Sequence, residues 1–420
     1  MRRTSCPRAL VPRAQALPNT PISLTHHLLL ACTLLLAAVY ANAVDVELFE
    51  RDTTHLGLTV HASDAPTDIA LARKLSTLDG VTSAGAADAF SIKLDNETQI
   101  AHYLRAARLS GGVYVHLPAL CPEQNCTGIR FTVRARRILF GDVDAQDTLA
   151  IAPAAASVFF TNEEHPRLQS ALYVDPGLSA ASATQLRDAV GRIRATYVQI
   201  AHRDLAVGIG TIATIARNEA DYFGYGGDSL NIVRMTFDNP KNFTDEVMVE
   251  AFTETYAHEI GHKLQSPRLF ELPQGRLVTE GSADFLKVIV LRRAHARGNS
   301  TTPEFVRDAF DECARKRGAA GLLARMAAHE ADYREIYDCG MVDYFALMFS
   351  QRADADDFLA RLTGMLGNPP AAPTSAEDCL LQGPTCTDPV LADMMGDAAH
   401  LRSRRDWLLQ RVDAFAKTTR

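Results

Sequence analysis

Basic residues are scarce where a polyanion would need them. The 420-residue chain sets 43 Lys and Arg against 50 Asp and Glu, a formal net charge of −7. No lysine-rich tail and no basic–aromatic stripe offsets that balance. Arg2, Arg3, Arg8 and Arg13 stand in the first 43 residues with no acid beside them, so the remainder carries −11. An acidic body does not attract phosphate backbones, which excludes nucleic acid as the expected partner. C-x-x-C spacing is missing too, and no histidine cluster accompanies the cysteines, which argues against a cysteine metal site. There is no internal repeat, so a solenoid is not expected. The strongest apolar run, residues 28–41, is short of the ~20 residues that span a bilayer comfortably.

What is present is ordinary globular material. Hydrophobic residues make up 47% and charged residues 22%, enough to bury a sizeable core. The length allows two or three domains. Residues 1–43 read as an export signal: a basic stretch, then "LLLACTLLLAAVYANA", ending in the small-x-small pattern Ala41-Asn42-Ala43. A secreted or periplasmic location follows, with membrane contact only transient through this segment; an uncleaved anchor is the alternative. Beyond it lie six cysteines, Cys121, Cys126, Cys313, Cys339, Cys379 and Cys386. An even number suits an oxidising compartment. Proximity pairs 121 with 126 and 379 with 386, leaving 313 with 339.

Residues 44–155 predict a β-rich N-terminal domain. "HLGLTVHA", "AFSIKL", "GGVYVHLPAL" and "GIRFTVRARRILF" are short β-branched and aromatic runs separated by turn formers. One expectation for this part is a pro-segment that blocks a cleft. From 156 the pattern changes, and 156–300 is expected to form a second domain. Leu186, Val190, Ile193 and Val198 follow helical spacing. "DLAVGIGTIATIA" reads as a strand, and "NEADYFGYGGDSLNIVRMTFD" as a glycine-rich turn feeding a strand at Leu230–Phe237. A helix is predicted over about Thr244–Gln265. Thr244 is its cap, Asp245 and Glu246 lie at the positive end of its dipole, and Pro267 follows its end. A second helix is predicted from Thr279 to Gly298. Residues 301–420 read as a mostly helical C-terminal part, interrupted at 367–378.

The stretch that carries chemistry is "TYAHEIGHKLQ", residues 255–265. Residues four apart share a helix face, so His258 and His262 can converge on one ion. Glu259 is rotated about 100° from His258 and flanks the ion without ligating it, where a general base belongs. A catalytic zinc usually takes three protein ligands. Gln265 and Arg268 occupy the positions where a metzincin would place Gly and its third His. Glu280 of "VTEGSADF" is the next candidate, with 17 residues between it and His262. Asp284, one turn further, could accept the outer N–H of a ligating imidazole. The alternative is a histidine pair on a helix face, paired with acids.

The "HEIGH" helix followed by "EGSADF" resembles the gluzincin metallopeptidases, of both thermolysin and aminopeptidase type. The resemblance covers about 205–350. It implies an α+β fold: the β-rich N-terminal domain, then a gluzincin-like catalytic domain with a mixed sheet and active-site helix, and the helical C-terminal part. It implies one Zn2+ held by His258, His262 and Glu280, Glu259 as base, and a peptide or protein substrate. Thermolysin-type members carry an aspartate four after the ligand glutamate, here Asp284. The strand that binds substrate backbone in this family is matched by Leu230–Phe237. The G-x-M-E-N stretch of aminopeptidase-type members has no counterpart in "GYGGDSLN", where Asp228 is the nearest substitute for its amine-holding glutamate. The oxyanion donor falls on Tyr337, with Gly340, in "EIYDCGMVDYFAL"; Tyr333, Tyr344 and His329 are its competitors. Missing substrate anchors leave a second expectation: a non-catalytic, zinc-stabilised secreted binding or envelope scaffold.

Overall fold

The computed structural model describes residues 44–418, apart from 62–70, 72–73, 76–80, 84–88, 97–105, 152–156, 164–167, 203–204, 206–209, 217–223, 239–240, 297–301, 352–353, 371–379, 381–387 and positions 110, 142, 170, 242 and 318. The expected signal segment and the expected Cys379–Cys386 pair lie outside the described residues.

The architecture is α+β. The N-terminal part is a sheet of β1 (Val44–Glu50), β2 (His55–His61), β3 (Val81–Ser83), β4 (Ala89–Lys93), β5 (Asp95–Asn96), β6 (Ala106–Leu109), β7 (Gly112–His116), β8 (Ile129–Phe140), β9 (Val143–Ile151) and β10 (Ser157–Thr161). Its order is β3-β4-β2-β1-β8-β10-β7-β6-β5, with β9 paired to β8. Alternation decides which face is inside: along β1, Val44, Val46 and Leu48 are buried while their neighbours are half-buried. One adjustment to the expected boundary at 155–156 follows. Ser157–Thr161 is buried throughout and pairs with β7 and β8, so it completes the first sheet. Cys121–Cys126 is a disulfide in this part, and Cys313–Cys339 is one in the helical part.

The second sheet holds β11 (Leu168–Gln169), β12 (Leu172–Val174), β13 (Thr211–Ala216), β14 (Gly224–Ser229) and β15 (Val233–Asp238), in the order β11-β12-β13-β15-β14. β12, β13 and β15 run parallel, and β14 is an antiparallel edge. β13 and β15 are buried at every position, as interior strands covered on both faces should be.

The helices that follow are α1 (Ala180–Ala201), α2 (Asp245–His262), α3 (Gly275–Arg293), α4 (Thr302–Lys316), α5 (Leu322–Ala327) and α6 (Tyr333–Ser350); α2 packs against β14 and β15, α1 and α3 pack on α2, and α6 packs on α3 and α4. Shorter helices from Ala355 to Thr418 close the far side. One hydrophobic core runs through all of it, from Leu172 in β12 to Val412. A smaller cluster, with Tyr114 and Phe159 on one side and Tyr173 and Ile212 on the other, joins the two sheets. At the same junction the Asn231 side chain donates to Ser157 O and accepts from Ser157 N, at 2.7 and 2.6 Å.

α2 begins as the sequence predicts. The Thr244 hydroxyl accepts from Val247 N–H, and Asp245 also accepts from Ser179 at the cap of α1, tying the two helix starts together. Its end comes earlier than expected. Lys263, Leu264 and Gln265 donate to the carbonyls three residues back, so the chain tightens into a turn after His262. α3 starts four residues before Thr279, and the Thr279 hydroxyl is spent inside the helix on Gly275 O at 2.9 Å. Packing against α2 and α6 thus overrides the cap signal. α3 also ends at Arg293, short of Gly298.

Candidate metal centre

α2 is buried on nearly every face, and its last turn points His258 and His262 at the start of α3. The two Nε2 atoms are 3.0 Å apart. Glu280 Oε2 lies 3.4 Å from His258 Nε2 and 3.3 Å from His262 Nε2. Around a tetrahedral ion with bonds of ~2.0–2.1 Å, neighbouring ligand atoms are about 3.3 Å apart. The three side chains therefore fit one zinc. Glu280 Oε2 is buried without a hydrogen bond, as an atom kept for a cation would be. Among the described residues no second cluster of three such groups occurs.

Each imidazole is held from behind. His258 Nδ1 is 2.7 Å from Asp284 Oδ1, and His262 Nδ1 is 2.9 Å from Gln265 Oε1. Carbonyl or carboxylate acceptors there leave Nε2 as the free lone pair. Gln265 is fixed in turn, donating to Thr279 O at 2.6 Å and Ser282 Oγ at 3.0 Å. Its part was missed in the sequence, although a residue three after a ligand histidine on the same face is the place to look. Lys287 Nζ donates to Asp284 Oδ1 at 2.6 Å.

Electrostatics follow from this crowding. Burial raises the Glu280 carboxyl, but the two imidazoles outweigh it and hold it well below the ordinary range. For Asp284, burial is likewise outweighed, by Lys287 and then His258. Burial disfavours a charged His258, yet Asp284 dominates and pushes its pKa up to about 10; a proton and a cation compete for its Nε2. Glu259 behaves oppositely. Burial raises its carboxyl, and the nearby imidazoles offset this only in part.

The centre opens into a cleft of about 480 Å³, walled by β14, α2, α3 and α6. Among its lining residues are His258, Glu259, Asp284 and Tyr337, and of the described residues that line it none precedes Tyr225. The described strands of the N-terminal sheet do not line it. The edge strand is β14 and not the expected Leu230–Phe237. β15 is flanked by β13 and β14, and has no unpaired edge to offer. The glycine-rich "GYGGDS" reads as a turn but pairs with β15 over its whole length. Gly227 shows why small residues are needed: a Cβ there would lie 2.8 Å from Thr255 Cγ2 of α2 and 2.5 Å from Arg234 O. Lys263 Nζ donates to Ser229 O at 2.7 Å, fastening the strand to the end of α2.

Of the tyrosines, Tyr337 reaches the centre. Its ring stacks on His258 with centroids 5.5 Å apart. Burial, and then the Glu280 carboxylate, push its phenol far up, so it stays protonated. Tyr333 packs edge-on against Tyr337 at the exposed mouth. Tyr344 is buried in the core, donating to Val278 O at 3.3 Å. His329 stands in the turn before α6 with φ of 56° and does not line the cleft. Asp228 Oδ2 accepts from Nε of the buried Arg234 at 2.9 Å, while its Oδ1 is buried without a hydrogen bond.

No protein-family model matches the chain, and no curated protein matches it. Among solved structures it is similar to an M1 zinc metallopeptidase from Deinococcus radiodurans, a glutamate-to-alanine variant bound to Tyr-Ser-Ala. The identity is 13% and the TM-score 0.41, covering 84% of this chain and 93% of that one. It is also similar to yeast LTA4 hydrolase in complex with bestatin, at 10% identity and a TM-score of 0.42, covering 77% of this chain and 61% of that one. These likenesses are loose, and the functional reading comes from the site's own residues.

Proposed function

We propose that the chain is a secreted or periplasmic zinc-dependent peptidase that hydrolyses peptide bonds with Glu259 as general base. One observation carries this: two imidazole nitrogens and one carboxylate oxygen, 3.0–3.4 Å apart, stand beside a buried glutamate at the floor of an open cleft. A bound zinc supplies Lewis acidity, polarising a carbonyl and acidifying a water. His258, His262 and Glu280 would hold it, while Asp284 and Gln265 fix the two rings. An extended peptide lies along β14, which is the end strand of the second sheet among the described residues. Glu259 takes a proton from the attacking water and passes it to the leaving amine nitrogen; its raised carboxyl suits both tasks. The Tyr337 hydroxyl donates to the oxyanion as the carbonyl carbon becomes tetrahedral.

Export is part of the proposal. The disulfides suit an oxidising compartment, and among the described residues no helix is long and apolar enough to cross a membrane. The test is Glu259→Gln. Zinc content should stay near one per chain while cleavage of an unstructured protein falls by 10²–10⁴-fold; full activity would remove Glu259 from its role. A second reading, a zinc-stabilised scaffold without catalysis, draws on the Asp228–Arg234 pair, which engages the acid on the edge strand nearest to an amine anchor. Bound zinc with no chelator-sensitive cleavage by the unaltered protein would favour it.

A further inference from the structure

The two ligand imidazoles are not backed alike. His262 leans on a neutral amide, Gln265 Oε1, at 2.9 Å. His258 leans on a carboxylate, Asp284 Oδ1, at 2.7 Å. A full charge there pulls harder on the Nδ1 proton and makes Nε2 a stronger donor to a cation. A ring so pulled grips a metal more firmly and leaves it less acidic.

Asp284 does not act alone. Lys287, one turn further along α3, donates to the same Oδ1 at 2.6 Å. Imidazole and ammonium therefore share one oxygen. The Lys287 and Asp284 side chains are only 18% and 9% exposed, so water and salt screen the pair little. Burial raises the Asp284 carboxyl, and Lys287 does more than His258 to outweigh it. Seen from His258, carboxylate and ammonium together carry no net charge, just as the amide behind His262 carries none. Orienting the ring needs the carboxylate alone. What the ammonium adds is electrical.

We propose that Lys287 is a positioning residue that acts through Asp284: its ammonium weakens the pull of the carboxylate on the His258 N–H, so the centre holds its cation less tightly and leaves it more acidic. The proposal rests on the zinc peptidase reading above, which supplies the cation and the use of its acidity. No proton is transferred, and His258 Nδ1 keeps its hydrogen throughout. Two other roles for Lys287 predict different outcomes. If it were a strut that only fixes Asp284, its loss would weaken zinc binding, as loss of Asp284 does. If it were a substrate contact on the cleft wall, its loss would leave metal affinity unchanged.

The experiment uses the full chain, stripped of metal and titrated with zinc against a chromogenic chelator. Lys287→Met keeps the stem and removes the charge. It should bind zinc about tenfold tighter than the unaltered protein, the low end of what partners behind a metal ligand contribute. Lys287→Arg should keep the parent affinity. Lys287→Gln repeats the neutral case with a polar head, and decides the matter if the Met variant does not fold. In zinc-loaded, nitrogen-labelled protein, the His258 Nδ1 proton resonance should move downfield in Lys287→Met, reporting a stronger bond to Asp284, while that of His262 stays in place. Equal or weaker zinc binding by the neutral variants overturns the proposal. So does tighter binding with the His258 resonance unmoved, which would make the ammonium act on the cation directly. Turnover adds a further readout: kcat should fall by up to about tenfold in Lys287→Met with KM nearly constant. A raised KM with zinc affinity unchanged would make Lys287 a substrate contact and overturn the proposal. Absence of cleavage by the unaltered zinc-loaded protein sinks the peptidase reading instead, and the chelator titration still decides the role of Lys287.

Discussion

Gly281 of α3 and Gly340 of α6 touch backbone to backbone: a Cβ on either would lie 2.5 or 2.6 Å from the other's Cα. No side chain separates the helices there. Tyr337 sits three residues before Gly340 and His258 packs beside α3, so this contact sets how closely the phenol approaches the metal centre.

Gly340→Ala should therefore force α6 away from α3. Overpacking costs about 1–3 kcal/mol, offset by about 1 kcal/mol from the better helix former. A net loss of about 1–2 kcal/mol is expected in urea unfolding. Peptide cleavage should fall further than stability does, because a misplaced donor costs disproportionately. Unchanged midpoint and turnover would show that the helices have slack.

Tyr337→Phe keeps the ring stacked on His258 and removes only the hydroxyl. Turnover should fall about 10²-fold with KM nearly constant, as for loss of one oxyanion donor. An equal rise in KM with kcat preserved would instead make Tyr337 a substrate-binding residue.

Asp284→Asn and Gln265→Ala each loosen one ligand imidazole. Both should weaken zinc binding by about 10–100-fold in competition with a chelator. Asp284→Asn should show the larger effect, since it also removes the negative charge that pairs with the Lys287 ammonium. Wild-type affinity in both would mean that the rings are fixed by packing alone.

Asp343 in α6 predicts a pH dependence of stability. It is fully buried, and neither carboxylate oxygen has a hydrogen bond. Burial, offset only in part by Arg317, pushes its pKa up to about 7, from an ordinary 3.8. The folded state thus binds the proton more tightly than the unfolded state. Its contribution is most favourable below pH 4, is lost as pH rises from 4 to 7, and stays lost above, a swing of about 4 kcal/mol. Asp343→Asn should remove that slope, gaining stability at pH 8 relative to pH 4.5 when urea midpoints are compared. A variant with the parent's slope would place the titration elsewhere.

Much of the centre was legible because it is local. The spacing of His258, Glu259 and His262 is one turn of helix, and a helix of that length was marked by Thr244 and its acidic first turn. Glu280 required only that the next helix return antiparallel. Within the described residues Cys121 and Cys126 pair as chain proximity suggested, and Cys313 and Cys339 as the pair that choice left over. Cap signals failed where packing overruled them, as at Thr279, whose hydroxyl turns back on its own helix.

The amino-acid sequence by itself determined that two imidazoles and a carboxylate can meet, that short alternating strands precede them, and that helices follow, because periodicities of 2 and 3.6 residues are properties of neighbouring positions. Tertiary structure alone decided that β14 and not Leu230–Phe237 forms the open edge, that Tyr337 rather than Tyr344 or His329 faces the centre, and that Glu254 and Lys287 share a wall. Those outcomes depend on strand order and on the distance at which helices cross, which arise from contacts between residues far apart in the chain.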